Sequence, residues 1–267
     1  MSDAYDDDAF QAAYDKVMAR WPAQREAVRV PTPYGTTHVN ACGPYDGPPL
    51  VLLPGGGGAT SASWFAQAAD FAGTHRVYAV DLVGAPGRST AAGDRHPRTI
   101  ADLTAWLDAV LDGLGAGPAV LGGHSYGAWI ALHHALHAPA RVRRLFLLDP
   151  DPVLRRVQGG VPRACPADAA AALAAPGPRQ EAATGFPSVR PVTGPRPAPL
   201  ALRALDMPVL LLLAGNSRTH DTYWVAARAS AVLPRVETVV LPDVSHHALP
   251  HAAPAELGRR LSGFLRG

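Results

Sequence analysis

From Ala27 onward the chain alternates short, mostly apolar runs with stretches of helical period. A chain patterned this way has few options besides an α/β fold, a mostly parallel sheet covered by helices on both faces. Residues 50–53, 77–80, 119–121, 145–148, 209–213 and 236–241 read as strands of the buried type. Residues 28–30 and 38–41 read as an opening hairpin about Tyr34 and Gly35, which brings the expected sheet to eight strands. Helices are expected at 64–71, 100–114, 128–137, 223–233 and 254–265.

Two segments stand outside this rhythm. Phe10, Ala13, Tyr14, Val17, Met18 and Trp21 recur at helical spacing, so residues 1–26 are read as an extra amphipathic N-terminal helix with one apolar stripe. Something must cover that stripe, either the edge of the main domain or a lid or homodimer contact. Residues 150–200 are dense in Pro, Gly and Ala, with a weak helical patch at 167–175, and cannot build a core alone. They are read as a small Pro-rich cap or lid over the carboxyl ends of a sheet formed by 27–149 and 201–267, against the alternative of a linker with no role.

Gly123, His124, Ser125, Tyr126 and Gly127 lie directly between an expected strand and an expected helix. A sharp strand-to-helix turn lifts the serine hydroxyl clear of the backbone, and neighbouring chain comes so close that only glycine fits on either side. Ser125 is therefore the candidate nucleophile. Its hydroxyl needs a base within hydrogen-bond reach, and Ser245, His246 and His247 follow the last strand directly. His246 is the candidate base and His247 the substitute. Pro54 with Gly55, Gly56, Gly57 and Gly58 follows the strand at 50–53, and such bare backbone can aim N–H groups at a developing oxyanion. The amides of Gly56 and Tyr126 are nominated for that role. The run lacks the Lys and Ser/Thr of a phosphate-binding loop and the spacing of a dinucleotide fingerprint. Trp64, His124, Trp129 and Trp224 are candidates to line a substrate pocket, with core packing the competing reading for each. His133, His134 and His137 read as packing or surface residues, and no motif for a metal or an organic cofactor is recognised.

Charge and cysteine usage narrow the partners to a small-molecule substrate. With 24 basic and 22 acidic residues scattered along the chain, the net charge of +2 offers no field for nucleic acid or anionic lipid. No apolar run approaches the roughly 20 residues that a membrane span needs. Asp3, Asp6, Asp7 and Asp8 precede any apolar stretch, the reverse of a secretory signal, and Cys42 and Cys165 have no framework spacing. A cytoplasmic location is expected, and neither cysteine is a catalytic candidate.

The ordered set PGGGG at 54–58, DLVGAPGRS at 81–89, GHSYG at 123–127, LLDP at 147–150 and SHH at 245–247 resembles the α/β-hydrolase fold superfamily, over nearly everything after Ala27. The resemblance implies a serine hydrolase of the carboxylesterase kind, in the chain order nucleophile, acid, histidine. Lyases, cyclases and small-molecule receptors share the fold, so a non-hydrolytic protein is the alternative. The acid departs from the family's pattern. Members commonly carry an aspartate soon after the penultimate strand, where this chain reads Ala214, Gly215, Asn216, Ser217, Arg218, Thr219, His220, Asp221. Asp149, at the carboxyl end of the strand at 145–148 and a position some lipase-like members use, is the first choice. Asp221 is the second choice, and Asp151 or no acid at all are the remaining alternatives. Residues 81–89 are expected to brace the oxyanion loop.

Overall fold

The structure is a computed structural model that describes residues 7–22, 24–150, 189–250 and 255–267. In chain order its elements are α1 (Asp7–Met18), β1 (Arg25–Thr32), β2 (Gly35–Cys42), β3 (Pro49–Leu53), a 3-10 turn (Ser61–Trp64), α2 (Phe65–Phe71), β4 (Arg76–Val80), β5 (Thr90–Ala91), α3 (Ile100–Leu114), β6 (Ala119–His124) and α4 (Tyr126–His137). There follow β7 (Val142–Leu148), α5 (Pro199–Arg203), β8 (Val209–Ala214), α6 (Thr222–Val232), β9 (Val236–Leu241) and α7 (Ala255–Arg266).

The strands form one sheet in the order β1-β2-β4-β3-β6-β7-β8-β9, with β5 paired to β2. The β1–β2 hairpin is antiparallel, β2 is antiparallel to β4, and every later pairing from β4 to β9 is parallel. The strand order reverses between β3 and β6, so the carboxyl ends of both strands open onto one crevice at a switch point. All eight expected strands are present. The ninth, β5, spans only two residues, too few to leave an apolar run in the sequence. Helix α5, which starts on Pro199, was likewise not expected, and α4 begins at Tyr126, two residues before its expected start. The helical patch expected at 167–175 and most of the 150–200 cap lie outside the described residues.

Side chains alternate along each strand, so the sheet divides the core into two. Val51, Leu53, Leu121, Leu147 and Leu211 meet α3, α4 and α6 on one face. Leu50, Leu52, Val120, Phe146 and Leu212 meet α1, α2 and α7 on the other. Each leucine buried in this way contributes about 1.5–3 kcal/mol, which neither face could gain without its own helices.

The stripe of α1 is covered by the chain itself. Phe10, Tyr14, Val17, Met18 and Trp21 are buried in the second core beside Ala62, Trp64 and Phe65. The helix is also tied down by polar contacts. Tyr14 donates its hydroxyl proton toward Asp81 Oδ2 at 3.1 Å and lies 2.8 Å from Ser61 Oγ, while Asn40 Nδ2 donates to the Tyr14 hydroxyl oxygen at 2.6 Å. Asp81 also accepts the backbone N–H groups of Ser61 and Arg88, both at 2.8 Å, which clamps the turn behind the glycine run. Burial and the Asp81 charge raise the Tyr14 hydroxyl well above its usual pKa, so it stays a donor. Tyr14→Phe keeps the ring and leaves buried Asp81 and Asn40 one partner short. It should destabilise the fold by about 1–3 kcal/mol, read as a lower urea midpoint with an unchanged m-value.

Candidate active site

Ser125 joins β6 to α4 with φ 49° and ψ −113°, backbone that a residue bearing a Cβ avoids. Two hydrogen bonds hold it there: Ser125 N–H donates to Leu148 O at 2.9 Å, and Ser125 O accepts from Trp129 N–H at 3.0 Å. A Cβ on Gly123 would run into the backbone of Gly127, and one on Gly127 would run into the carbonyl of Leu53. Glycine at both positions therefore allows β3, β6 and α4 to meet at one point, with the hydroxyl displayed between them.

Asp149 directly follows the neighbouring strand β7 and also has a left-handed backbone, φ 40°. Its N–H donates to Leu212 O at 2.7 Å, turning the side chain toward the loops that follow β8 and β9. From the loop after β9, His246 places Nδ1 2.6 Å from Asp149 Oδ2 and Nε2 2.9 Å from Ser125 Oγ. Hydroxyl, imidazole and carboxylate thus form one continuous chain. Asp149 is 0% exposed, so the carboxylate is cut off from water, and Ser125 is 9% exposed. Burial pushes the Asp149 carboxyl up, and hydrogen bonds and charge from His220 and His246 outweigh it, holding the group well below the usual carboxylate range.

Further groups fix Asp149. Ala214 N–H donates to Oδ1 at 3.1 Å and Ser217 Oγ donates to Oδ2 at 2.9 Å. His220 Nε2 stands 3.1 Å from Oδ1, turned off the line of a straight hydrogen bond. Ser217 and His220 escaped the sequence reading. Their mark in the sequence is a hydroxyl and an imidazole on the loop that lacks the usual carboxylate.

Asp221 caps α6, accepting Trp224 N–H at 3.0 Å, and Asp151 lies outside the described residues. His247 stands edge-on to His246, with ring centres 5.0 Å apart. His124 is 6% exposed. Its Nε2–H donates to the carbonyl of His246 at 2.9 Å, so it holds the loop that carries the imidazole. Trp64 is fully buried against Phe146 on the opposite face of the sheet, and Trp129 is buried under Tyr126, stacked at 5.6 Å. Trp224 is 40% exposed on α6. These three tryptophans pack or face solvent because the strand faces, not nearness in sequence, decide which side reaches the crevice. His134 Nε2 pairs with Asp108 Oδ1 at 3.0 Å, and His133 packs on Trp129.

Tyr126, the residue after the serine, lines a cavity of about 300 Å³ together with Gly56, Leu82, Trp106, Ile130 and Val192 among others; Ser125 itself is not among the lining residues. Trp106 of α3 is the tryptophan on this wall, and it is fully buried in the core of that face. Gly56 and Tyr126, the nominated oxyanion donors, share this wall, and a Cβ on Gly56 would lie 3.6 Å from Tyr126 Cβ. Tyr126 is the first residue of α4, where a helix leaves N–H groups without intrahelical partners and favours negative charge. Its hydroxyl accepts Val192 N–H at 3.0 Å, and burial pushes it up to about 12. With Val189 N–H bonded to Gly84 O at 2.9 Å, this pins residues 189–192 as one side of the cavity.

Comparison with known proteins agrees with this geometry. A family model described as alpha/beta hydrolase fold matches residues 48–192. Carboxylesterase YbfK of Bacillus subtilis is 38% identical over 141 residues, a stretch covering 53% of this chain and only 47% of that protein. A second B. subtilis protein, described as the uncharacterized carboxylesterase nap, is 27% identical over 96% of this chain and 91% of its own length. The crystal structure of naproxen esterase from B. subtilis superposes with a TM-score of 0.81 at 25% identity, covering 96% of this chain and 97% of that one.

The lowered Asp149 carboxyl makes a pH prediction. A depressed folded-state pKa stabilises the fold fully above the ordinary carboxylate value near ~3.9 and loses that contribution as pH falls toward the folded value. Wild type should therefore lose stability below about pH 4 more steeply than Asp149→Asn, measured by chemical denaturation at stepped pH.

Proposed function

The chain belongs to the alpha/beta hydrolase fold family, and we propose that within it the protein is a serine carboxylesterase acting on a small-molecule ester through an acyl-enzyme. The observation that carries this reading is the unbroken hydrogen-bond chain Ser125–His246–Asp149, with contacts of 2.9 and 2.6 Å, beside an apolar cavity. The carboxylesterase names of the relatives support it.

Ser125 Oγ attacks the ester carbonyl as His246 Nε2 takes its proton. Asp149 keeps Nδ1–H pointed toward itself and stabilises the imidazolium that forms. The carbonyl oxygen becomes an oxyanion facing the N–H groups of Gly56 and Tyr126, donors of a kind worth about 3–4 kcal/mol each. Collapse of the tetrahedral intermediate expels the alcohol, protonated by His246, and leaves an ester on Ser125. A water activated by the same imidazole then releases the acid. The side chains of Leu82, Trp106 and Ile130 suit an apolar acyl or alcohol group.

The proposal includes residues 150–200 as the cover of this cavity, supported by the bonds that pin 189–192 to it. It includes a cytoplasmic setting, which the free, buried Cys42 suits. It takes no homodimer contact from α1, whose stripe its own chain covers.

The test is a set of p-nitrophenyl esters of graded length together with a fluorophosphonate probe. Wild type should hydrolyse at least one ester and carry the probe on Ser125, and Ser125→Ala should lose about 10⁴-fold or more in kcat/KM. Folded wild type that neither reacts with the probe nor turns over any ester would refute the reading.

A further inference from the structure

We infer that His220 is a positioning residue for this reaction: it grips Oδ1 of Asp149, so that Oδ2 stays turned toward His246. The inference rests on the reading above, in which Asp149 is the acid.

The carboxylate is held from both sides. Oδ2 receives His246 Nδ1 at 2.6 Å and Ser217 Oγ at 2.9 Å, Oδ1 receives Ala214 N–H at 3.1 Å, and His220 Nε2 stands 3.1 Å from Oδ1 off the line of a straight bond. The partners on the β8 side also close on one another. Ser217 Oγ lies 3.0 Å from Thr219 Oγ1, which lies 3.0 Å from His220 Nδ1. Acid, two hydroxyls and an imidazole thereby form a ring.

Chemistry selects the state of the His220 ring. Three neutral side chains bring three protons to the four contacts of this ring: with the Ser217 proton on Oδ2 and the Thr219 proton on Nδ1, the imidazole proton falls on Nε2, the atom facing Asp149, and the contact without a proton is the uncharged one between the two hydroxyls. The opposite tautomer would set a nitrogen lone pair against a carboxylate. The side chain of His220 is 1% exposed, and Nε2 makes no hydrogen bond of good geometry among the described residues; Asp149 Oδ1, 3.1 Å away, is the acceptor it stands beside. A small turn of the ring straightens the contact. Without His220, one backbone N–H remains on Oδ1, and the carboxylate is freer to rotate away from His246.

Steady-state kinetics on a hydrolysed p-nitrophenyl ester would test this with His220→Gln, His220→Phe and Thr219→Val beside wild type and Ser125→Ala. Gln keeps an N–H donor near the place of Nε2, whereas Phe keeps the ring and loses the donor. His220→Phe should lower kcat about tenfold or more with KM within about twofold, while His220→Gln stays within about threefold of wild type, effects of the size outer partners of a site carry. Thr219→Val should lower kcat as well, by less. A His220→Phe variant with wild-type kcat, or Gln and Phe variants equally impaired, would overturn the inference. Should His220→Phe not fold, an unchanged kcat in Thr219→Val overturns it. Ser125→Ala separates the two layers: an active Ser125→Ala sinks the esterase reading, whereas an inactive one beside an unimpaired His220→Phe sinks this inference alone.

Discussion

The contact between Asp149 and His246 organises this molecule. A carboxylate with no exposed surface loses the hydration that an ion would otherwise keep, and it remains charged only because donors surround it. Those donors come from β8, from the loop after it and from the loop after β9, so burying one charge fixes the relative positions of three parts of the chain. The same contact sets the plane and tautomer of the imidazole that faces Ser125.

The sheet makes that convergence possible. Parallel strands deliver their carboxyl ends to one edge, and Ser125 and Asp149 directly follow the adjacent strands β6 and β7. Both residues hold a left-handed backbone, and they are the only non-glycine residues among those described that do so. Strain of this kind persists where the surrounding structure over-determines it. Here Leu148 O and Leu212 O fix the two amides, which links the strained conformations to the strand pairing itself.

The parts legible in the sequence were those with a local signature. The strand succession could be read because buried parallel strands are continuously apolar, and the elbow because Gly123 and Gly127 answer a steric need only four residues apart. Pocket residues were not legible. Trp64 and Trp106 look alike in sequence, yet one packs beneath the sheet and the other lines the cavity, a difference set by which face each element covers. The acid stayed open between Asp149, Asp221 and Asp151 because the loop after β8 carries no carboxylate at the usual place. In three dimensions that loop supplies donors to Asp149 in place of an acid of its own, and this exchange leaves no spacing to recognise.

The most direct test of the account compares kcat for Asp149→Asn and Asp221→Asn on an ester the wild type hydrolyses. Asp149→Asn should fall by about 10⁴-fold, the size of loss expected when the imidazole loses its orienting carboxylate, with Asp221→Asn near wild type. A collapse of activity in Asp221→Asn with Asp149→Asn little changed would contradict it.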